Sequence, residues 1–166
     1  MKTLTILRHA KSSWKDPGQP DHERPLSRRG EENAPMMGGR LTGAGIRPSL
    51  IMSSSAKRAW RTARLVARAI SYPIEFLHRE DRLYLADLDR LLDVMAEQDA
   101  GFNSIVIVGH NPGLTEFANH LLPDLTANIP TCGIVSVAIE TDDWNLRQGK
   151  PAELLLYDYP KRLRRQ

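Results

Sequence analysis

The sequence predicts an α/β chain, a three-layer α/β/α sandwich with a mostly parallel central sheet and an antiparallel hairpin at its edge. Three observations predict it. Ser104-Ile105-Val106-Ile107-Val108 is β-branched and apolar throughout, as a strand covered on both faces should be. Strand-like and helix-like segments alternate from Thr3 to Leu121, which places helices on both faces of a sheet. The last two strand-like runs, 132–139 and 152–157, are separated only by a polar turn, which suits an antiparallel pair.

The first strand is Thr3-Leu4-Thr5-Ile6-Leu7, where threonine and apolar residues alternate. Arg8 and His9 leave it directly. Residues 13–22 hold prolines, a glycine and polar side chains. They read as a long loop beside His9, able to form one wall of a pocket. Ser27 is a good N-cap for a helix from 28 to about 41, whose Glu31 and Glu32 suit its positive end. Gly38 and Gly39 weaken that helix, and Gly43 and Gly45 end it. A short buried strand follows at 48–52. Any of Ser53, Ser54 and Ser55 could cap the next helix, from 56 to about 70, whose Ala59, Ala63, Val66 and Ile70 form an apolar stripe. Beyond a break at Tyr72-Pro73, the alternation Ile74-Glu75-Phe76-Leu77 predicts a third strand. Residues 78–89 are mixed, with Leu83, Tyr84 and Leu85 as apolar anchors. Leu88, Leu91, Leu92 and Met95 mark a helix from about 87 to 98. After the strand at 104–108, Pro112 suits the first turn of a helix that Leu114, Phe117, Ala118 and Leu121 continue.

A chain of 166 residues is expected to form a single domain over 1–166. Apolar content of 41% and charged content of 26% are those of an ordinary globular protein. No apolar run approaches the ~18 residues of a membrane span, and Met1-Lys2 leads into a strand rather than a secretory segment. One cysteine, Cys132, can form no internal disulfide, so a cytoplasmic location is expected. Beside Gly133, it reads as a packing residue rather than a nucleophile. Net charge is +3, with a pI near 9.2. Part of the basic excess lies in Lys161, Arg162, Arg164 and Arg165. No aromatic residue interleaves with them, so they read as a solvated end and not as a nucleic-acid or membrane surface. The chain is expected to be a monomer.

The chemistry gathers where strands end and helices begin. In open α/β sheets, ligand crevices lie outside the carboxyl ends of the strands. Arg8 and His9 stand there, and so does His110, between a strand and a helix. Arg58 lies in the first turn of its helix. A cation there opposes the dipole, unless an anion binds at the same end. Any one of the four could be an ordinary surface residue. Together, two guanidiniums match the oxygens of a phosphate, and an imidazole among them can be a nucleophile. Positive surroundings should lower its pKa and keep it neutral. Metal-ligand spacings, the P-loop and the dinucleotide fingerprint are absent, so no metal and no cofactor is expected. His22, His78 and His120 lack partners at metal-ligand spacing and read as surface or core residues.

Four stretches carry a family resemblance: Leu7-Arg8-His9-Ala10-Lys11-Ser12-Ser13-Trp14, Arg24-Pro25-Leu26-Ser27-Arg28-Arg29-Gly30, Ser53-Ser54-Ser55-Ala56-Lys57-Arg58-Ala59-Trp60-Arg61-Thr62-Ala63, and Val108-Gly109-His110-Asn111-Pro112. In this order they resemble the histidine phosphatase (phosphoglycerate mutase-like) superfamily, and within it the SixA-type phosphohistidine phosphatases. The resemblance implies that His9 is the nucleophile and is phosphorylated on a ring nitrogen. It implies that Arg8 and Arg58 bind the phosphoryl oxygens, and that His110 donates to them and stabilises the transition state.

The sequence departs from the superfamily in three places. Ala10 replaces the glycine of the Arg-His-Gly hallmark, a replacement the SixA-like branch accepts. Lys15 stands where relatives often carry a phosphate-touching asparagine. Superfamily members that act on esters usually place a glutamate acid after the third strand, and here Leu85 stands in its place. Glu80, Asp81 and Asp87 are the remaining candidates for a general acid, none of them well placed. A phosphohistidine needs no such acid, because imidazole is a far better leaving group than an alkoxide. The favoured reading is therefore a metal-independent phosphohistidine phosphatase that acts on a phosphorylated partner protein through a phospho-His9 intermediate. The alternatives are a phosphatase of small phosphomonoesters or other phosphoprotein side chains, and a non-catalytic phosphate-binding module.

Overall fold

Ile105, Val106, Ile107 and Val108 are all fully buried, as an apolar run without alternation requires. They lie near the middle of a six-stranded sheet. The structure is a computed structural model that describes residues 1–162. Its elements are β1 (Lys2–Arg8), α1 (Arg28–Gly43), β2 (Leu50–Ser53), α2 (Lys57–Ala69), β3 (His78–Arg79), α3 (Leu88–Ala96), β4 (Ser104–Gly109), α4 (Gly113–Leu121), β5 (Ile134–Ile139) and β6 (Ala152–Asp158). The sheet order is β3-β2-β4-β1-β5-β6. Strands β1 to β4 are parallel, while β5 runs antiparallel to both β1 and β6. The expected α/β/α architecture is what forms.

Side chains alternate across β4, and the two faces of the sheet carry separate cores. Ile105 and Ile107 pack with Leu91, Met95, Leu114 and Phe117 of α3 and α4. Val106 and Val108 pack with Met37, Leu41, Ala63 and Val66 of α1 and α2. Burying each such aliphatic side chain is worth about 1.5–3 kcal/mol. Ser27 caps α1 as its sequence suggests, accepting from the Gly30 amide at 3.1 Å.

Three expectations are corrected here. Ile74–Phe76 is a single 3-10 turn, and β3 is only His78–Arg79. The Ile51 amide donates to the Tyr72 hydroxyl at 3.4 Å, so it is not left for a longer β3 to pair with. At the start of α2 the cap residue is Ala56, without a side-chain cap, and Ser54 instead accepts from the Ala56 amide at 3.2 Å. Cys132 lies outside β5, with φ at 58°, and its amide donates to the His9 carbonyl at 3.0 Å. It is fully buried, and burial pushes its thiol up to about 12, in keeping with a packing role. Of the basic tail, Lys161 borders the cavity described next and Arg162 donates to the Tyr157 carbonyl. Arg164 and Arg165 lie outside the described residues.

Candidate active site

The register of the central strands sets the site. Leu7 pairs with Val108 and Arg8 with Gly109 across β1 and β4, and Ser53 pairs with Val108 across β2 and β4. Three parallel strands thus stop at one level. His9, Ser54 and His110 emerge side by side, tied by His9 N to Gly109 O at 3.1 Å and Ser54 N to Val108 O at 2.9 Å. The rings of His9 and His110 are 5.2 Å apart. Arg58 reaches the same point from the first turn of α2, and its side chain is 3% exposed. The four residues expected from sequence line one cavity of about 670 Å³. The exposed-arginine reading of Arg58 is excluded.

Glycines fix the walls. Gly30 begins α1 so close to the strand exit that a Cβ would lie 2.2 Å from the Lys11 carbonyl oxygen. At Gly113 a Cβ would lie 1.9 Å from the carbonyl oxygen of Ala86, which holds the segment around Leu85 against the start of α4. The 13–22 loop forms a wall as expected. Trp14 lines the cavity, and the Arg24 guanidinium lies 4.0 Å from its ring centre.

Hydrogen bonds specify how the imidazoles are protonated. His9 Nδ1 lies 2.8 Å from the Ala10 carbonyl, which can only accept. Nδ1 therefore carries the proton, and Nε2 keeps its lone pair. Burial lowers the His9 pKa to about 4, with Arg58, Arg8 and Arg24 adding to it against the Ala10 hydrogen bond. Burial, more than positive surroundings, keeps the ring neutral. His110 falls to about 3, again from burial first and then from His9 and Arg58. Its Nε2 turns inward to the Ser54 hydroxyl at 2.7 Å, and its Nδ1 accepts from Arg58 at 3.4 Å.

Two further residues of the candidate site are not apparent from the sequence. Arg24 lies in one of the stretches that carry the family resemblance. It is 9% exposed, lines the cavity, and donates to Ser12 and, at 2.9 Å, to Asp21. Asp21 is the one carboxylate lining the cavity among the described residues. It accepts from Tyr84 at 2.6 Å and from Arg58 at 3.0 Å. The Tyr84 hydroxyl, then Arg24 and Arg58, hold its carboxyl well below the usual carboxylate range. The position of Arg24 just before the Pro-Leu-Ser cap was the available signal for it. Asp21, inside an irregular loop, offered none.

Nε of Arg8, of Arg24 and of Arg58 is buried without a hydrogen-bond partner. An unpaired buried donor normally costs ~1–3 kcal/mol. All three arginines line the one cavity, and their guanidiniums together form a cradle for an anion with several oxygens. Arg8 is further fixed by donation to the Ile129 carbonyl at 2.9 Å. No group of three or more His, Cys, Asp or Glu among the described residues is placed to hold a metal ion.

Glu80, Asp81 and Asp87 do not line the cavity. Glu80 pairs with Arg82, the Asp81 carbonyl accepts from the Tyr84 amide, and Asp87 caps α3. Leu85 does line it. Leu85 is 56% exposed with φ at 49°, so it is no core anchor but an apolar side chain held at the mouth. Non-glycine residues in the left-handed region are strained, and such strain collects at functional sites. His22 is half-buried, 2.9 Å from the Ser55 hydroxyl and edge-on to Tyr84. His120 donates to the Leu146 carbonyl at 2.7 Å, and His78 lies 4.0 Å from Glu80. No helix among the described residues is long and apolar enough to cross a membrane.

Comparison with known proteins agrees with this geometry. Residues 4–83 match the pattern of the histidine phosphatase superfamily (branch 1). An uncharacterised chloroplastic protein of Arabidopsis thaliana is 30% identical over 151 residues, covering 86% of this chain and 69% of its own. Among solved structures, a protein from Agrobacterium tumefaciens, provisionally assigned as phosphohistidine phosphatase SixA, superposes with a TM-score of 0.79 at 25% identity. The match covers 96% of this chain and 98% of that one. A protein histidine phosphatase SixA complexed with tungstate shares the fold, with a TM-score of 0.76 at 20% identity, over 93% of this chain and 95% of that one.

Proposed function

This chain belongs to the histidine phosphatase superfamily, and we propose that it is a metal-independent phosphohistidine phosphatase, a single domain acting on a histidine-phosphorylated protein in the cytoplasm. The observation that carries the reading is a neutral His9, with its proton on Nδ1 and its Nε2 free, in a cavity that the guanidiniums of Arg8, Arg24 and Arg58 also line. His9 Nε2 attacks phosphorus. The P–N bond to the substrate imidazole breaks, and its electron pair returns to that ring, which leaves neutral with its proton on the other nitrogen. The ring of His9 then carries phosphate on Nε2 and a proton on Nδ1, and its positive charge is stabilised by the Ala10 carbonyl. Water attacks next. A P–O bond forms, the P–N bond to His9 breaks with its electrons returning to Nε2, and the protons of water pass to phosphate and solvent.

Arg8, Arg24 and Arg58 hold the phosphoryl oxygens as charge shifts, which is where preorganised donors contribute most. His110 joins them from Nδ1 in its other tautomer, in which the Ser54 hydroxyl donates to Nε2 across the 2.7 Å contact and Arg58 turns its Nη2 from Nδ1 to the phosphoryl group. The absence of an acid supports the choice of substrate. Asp21 is held ionised and cannot donate a proton, and Leu85 occupies the mouth. An imidazole leaves without a donor and an alkoxide does not.

The test compares phosphate release from a histidine-phosphorylated carrier protein and from an alkyl phosphate, with a chelator present. Fast release from the carrier, lost in His9→Ala and indifferent to chelator, is expected. Equal or faster release from the ester would replace this reading with a small-ester phosphatase. Phosphate binding without release from either substrate would replace it with a binding module.

A further inference from the structure

A second groove, of about 560 Å³, adjoins the catalytic cavity and shares Lys11 and Arg29 with it. Its floor runs beside the antiparallel bridge between Ser12 and Leu26, of which Leu26 lines the groove and Ser12 the catalytic cavity. Ser13 N to Pro25 O at 2.8 Å and Ser27 N to Lys11 O at 2.8 Å pin the two segments together. The floor is therefore a fixed surface. Lys15 and Arg28 line this groove and not the catalytic cavity.

The charges along the groove are one-sided. Lys11, Lys15, Arg28 and Arg29 face one acid, Asp16, whose side chain already accepts from the Gly18 amide at 3.2 Å. Among the described residues, Lys11, Lys15 and Arg29 enter no ion pair, and Arg28 meets Glu32 at 3.4 Å with its side chain 95% exposed. All four basic residues are exposed. Nothing in the phosphoryl chemistry uses Lys15 or Arg28. Lys11 and Arg29 line both spaces, so a chain leaving the catalytic cavity beside them enters this groove, which Lys15, Pro25 and Leu26 also line.

We propose that this groove docks an acidic polypeptide segment flanking the phosphorylated histidine, so that the preferred substrates carry glutamate or aspartate next to that residue. The inference rests on the phosphohistidine reading. Complementary charge beside a site raises encounter rates and selects partners more than it adds affinity, and it is screened by salt.

Two synthetic peptides of equal length test it, each with one phosphohistidine, one flanked by glutamates and the other by glutamines. At low salt the glutamate peptide should be dephosphorylated with kcat/KM about tenfold higher, and the advantage should vanish at high salt. The double variant Lys15→Glu/Arg28→Glu should lose the advantage, leave the glutamine peptide unaffected, and prefer a third peptide flanked by lysines. This gain of preference separates a docking role from a folding defect. Equal rates on the first two peptides, or a preference kept by the double variant, would overturn the groove assignment while the phosphatase reading stands. Competition by a short RNA without glutamate preference would give the groove to nucleic acid and overturn it also. No release from either peptide by the unaltered protein would sink the phosphohistidine reading itself.

Discussion

Asp21 grips Arg58 twice. The carboxylate accepts from Nη2 at 3.0 Å, and the backbone carbonyl of the same residue accepts from Nη1 at 2.7 Å. The guanidinium of Arg58, which lines the cavity, is thereby held in one orientation. The helix-start cation, unfavourable by itself, is balanced within the chain. Asp21→Ala should remove the carboxylate that aligns both Arg58 and Arg24, leaving only the backbone carbonyl on Arg58 Nη1. The loss of alignment of these two donors is expected to lower kcat/KM for the phosphohistidine substrate by ~10²-fold. Asp21→Asn keeps an acceptor and should lose less. Steady-state kinetics on the two variants, with inorganic phosphate inhibition as the measure of oxyanion binding, separates orientation from fold.

The two histidines make stability depend on acid. Each has a folded pKa below the unfolded value of about 6.5. Between those values the unfolded chain binds protons that the folded chain refuses, so stability falls as pH falls. The window runs from about 6.5 down to about 4 for His9 and to about 3 for His110. At pH 5 each should have cost roughly 2 kcal/mol relative to neutral pH. Urea midpoints at pH 7 and pH 5 should show the fall, and His9→Gln should show about half of it. The acid limb of activity should appear near pH 4 rather than at the ordinary imidazole value.

Leu85→Glu should create the missing proton donor. The side chain already stands at the cavity mouth, and the backbone strain at φ 49° is common to both residues. General-acid assistance contributes ~10²–10⁴ in rate, so at least a tenfold gain on alkyl phosphates is expected, with little gain on phosphohistidine. Parallel assays on the two substrate types read the ratio directly, and an unchanged ratio would show that position 85 does not face the leaving group.

Three glycines should separate cleanly. Gly30→Ala and Gly113→Ala force a Cβ onto backbone oxygens at 2.2 and 1.9 Å, so backbone must move beside His9 and beside Leu85. Both should lose stability by about 1–3 kcal/mol and lose activity as well. Gly39, inside α1, has nothing within 4 Å of an added Cβ. Gly39→Ala should gain up to ~1 kcal/mol with activity unchanged. Thermal melts alongside a single activity assay suffice.

How legible each part was follows from how local its cause is. Arg8, His9 and His110 could be read because a strand points its last residues into a crevice whatever the rest of the chain does. Arg58 was readable as a cation at a helix start with nothing local to oppose it. Its opposing charge came from Asp21, thirty-seven residues away in sequence, and no periodicity encodes that approach. Glu80, Asp81 and Asp87 drew notice as acids in the right interval. A 3-10 turn at Asp81–Leu83 and the left-handed Leu85 turn that interval so that the leucine faces the cavity and the acids do not. The Ile74-Glu75-Phe76-Leu77 alternation was misleading for a related reason. Pairing needs a free edge, and the Tyr72 hydroxyl occupies the Ile51 amide.

The common endpoint of β1, β2 and β4 divides the molecule into parts that can change at different rates over evolutionary time. His9, His110 and Ser54 owe their places to backbone pairing deep in the sheet. Trp14, Lys15, Arg28 and Leu85 owe theirs to peripheral loops or to the first turn of a helix. Descendants of such a chain can trade one phosphorylated partner for another by altering the periphery, and the phosphoryl-handling apparatus passes through that history unaltered.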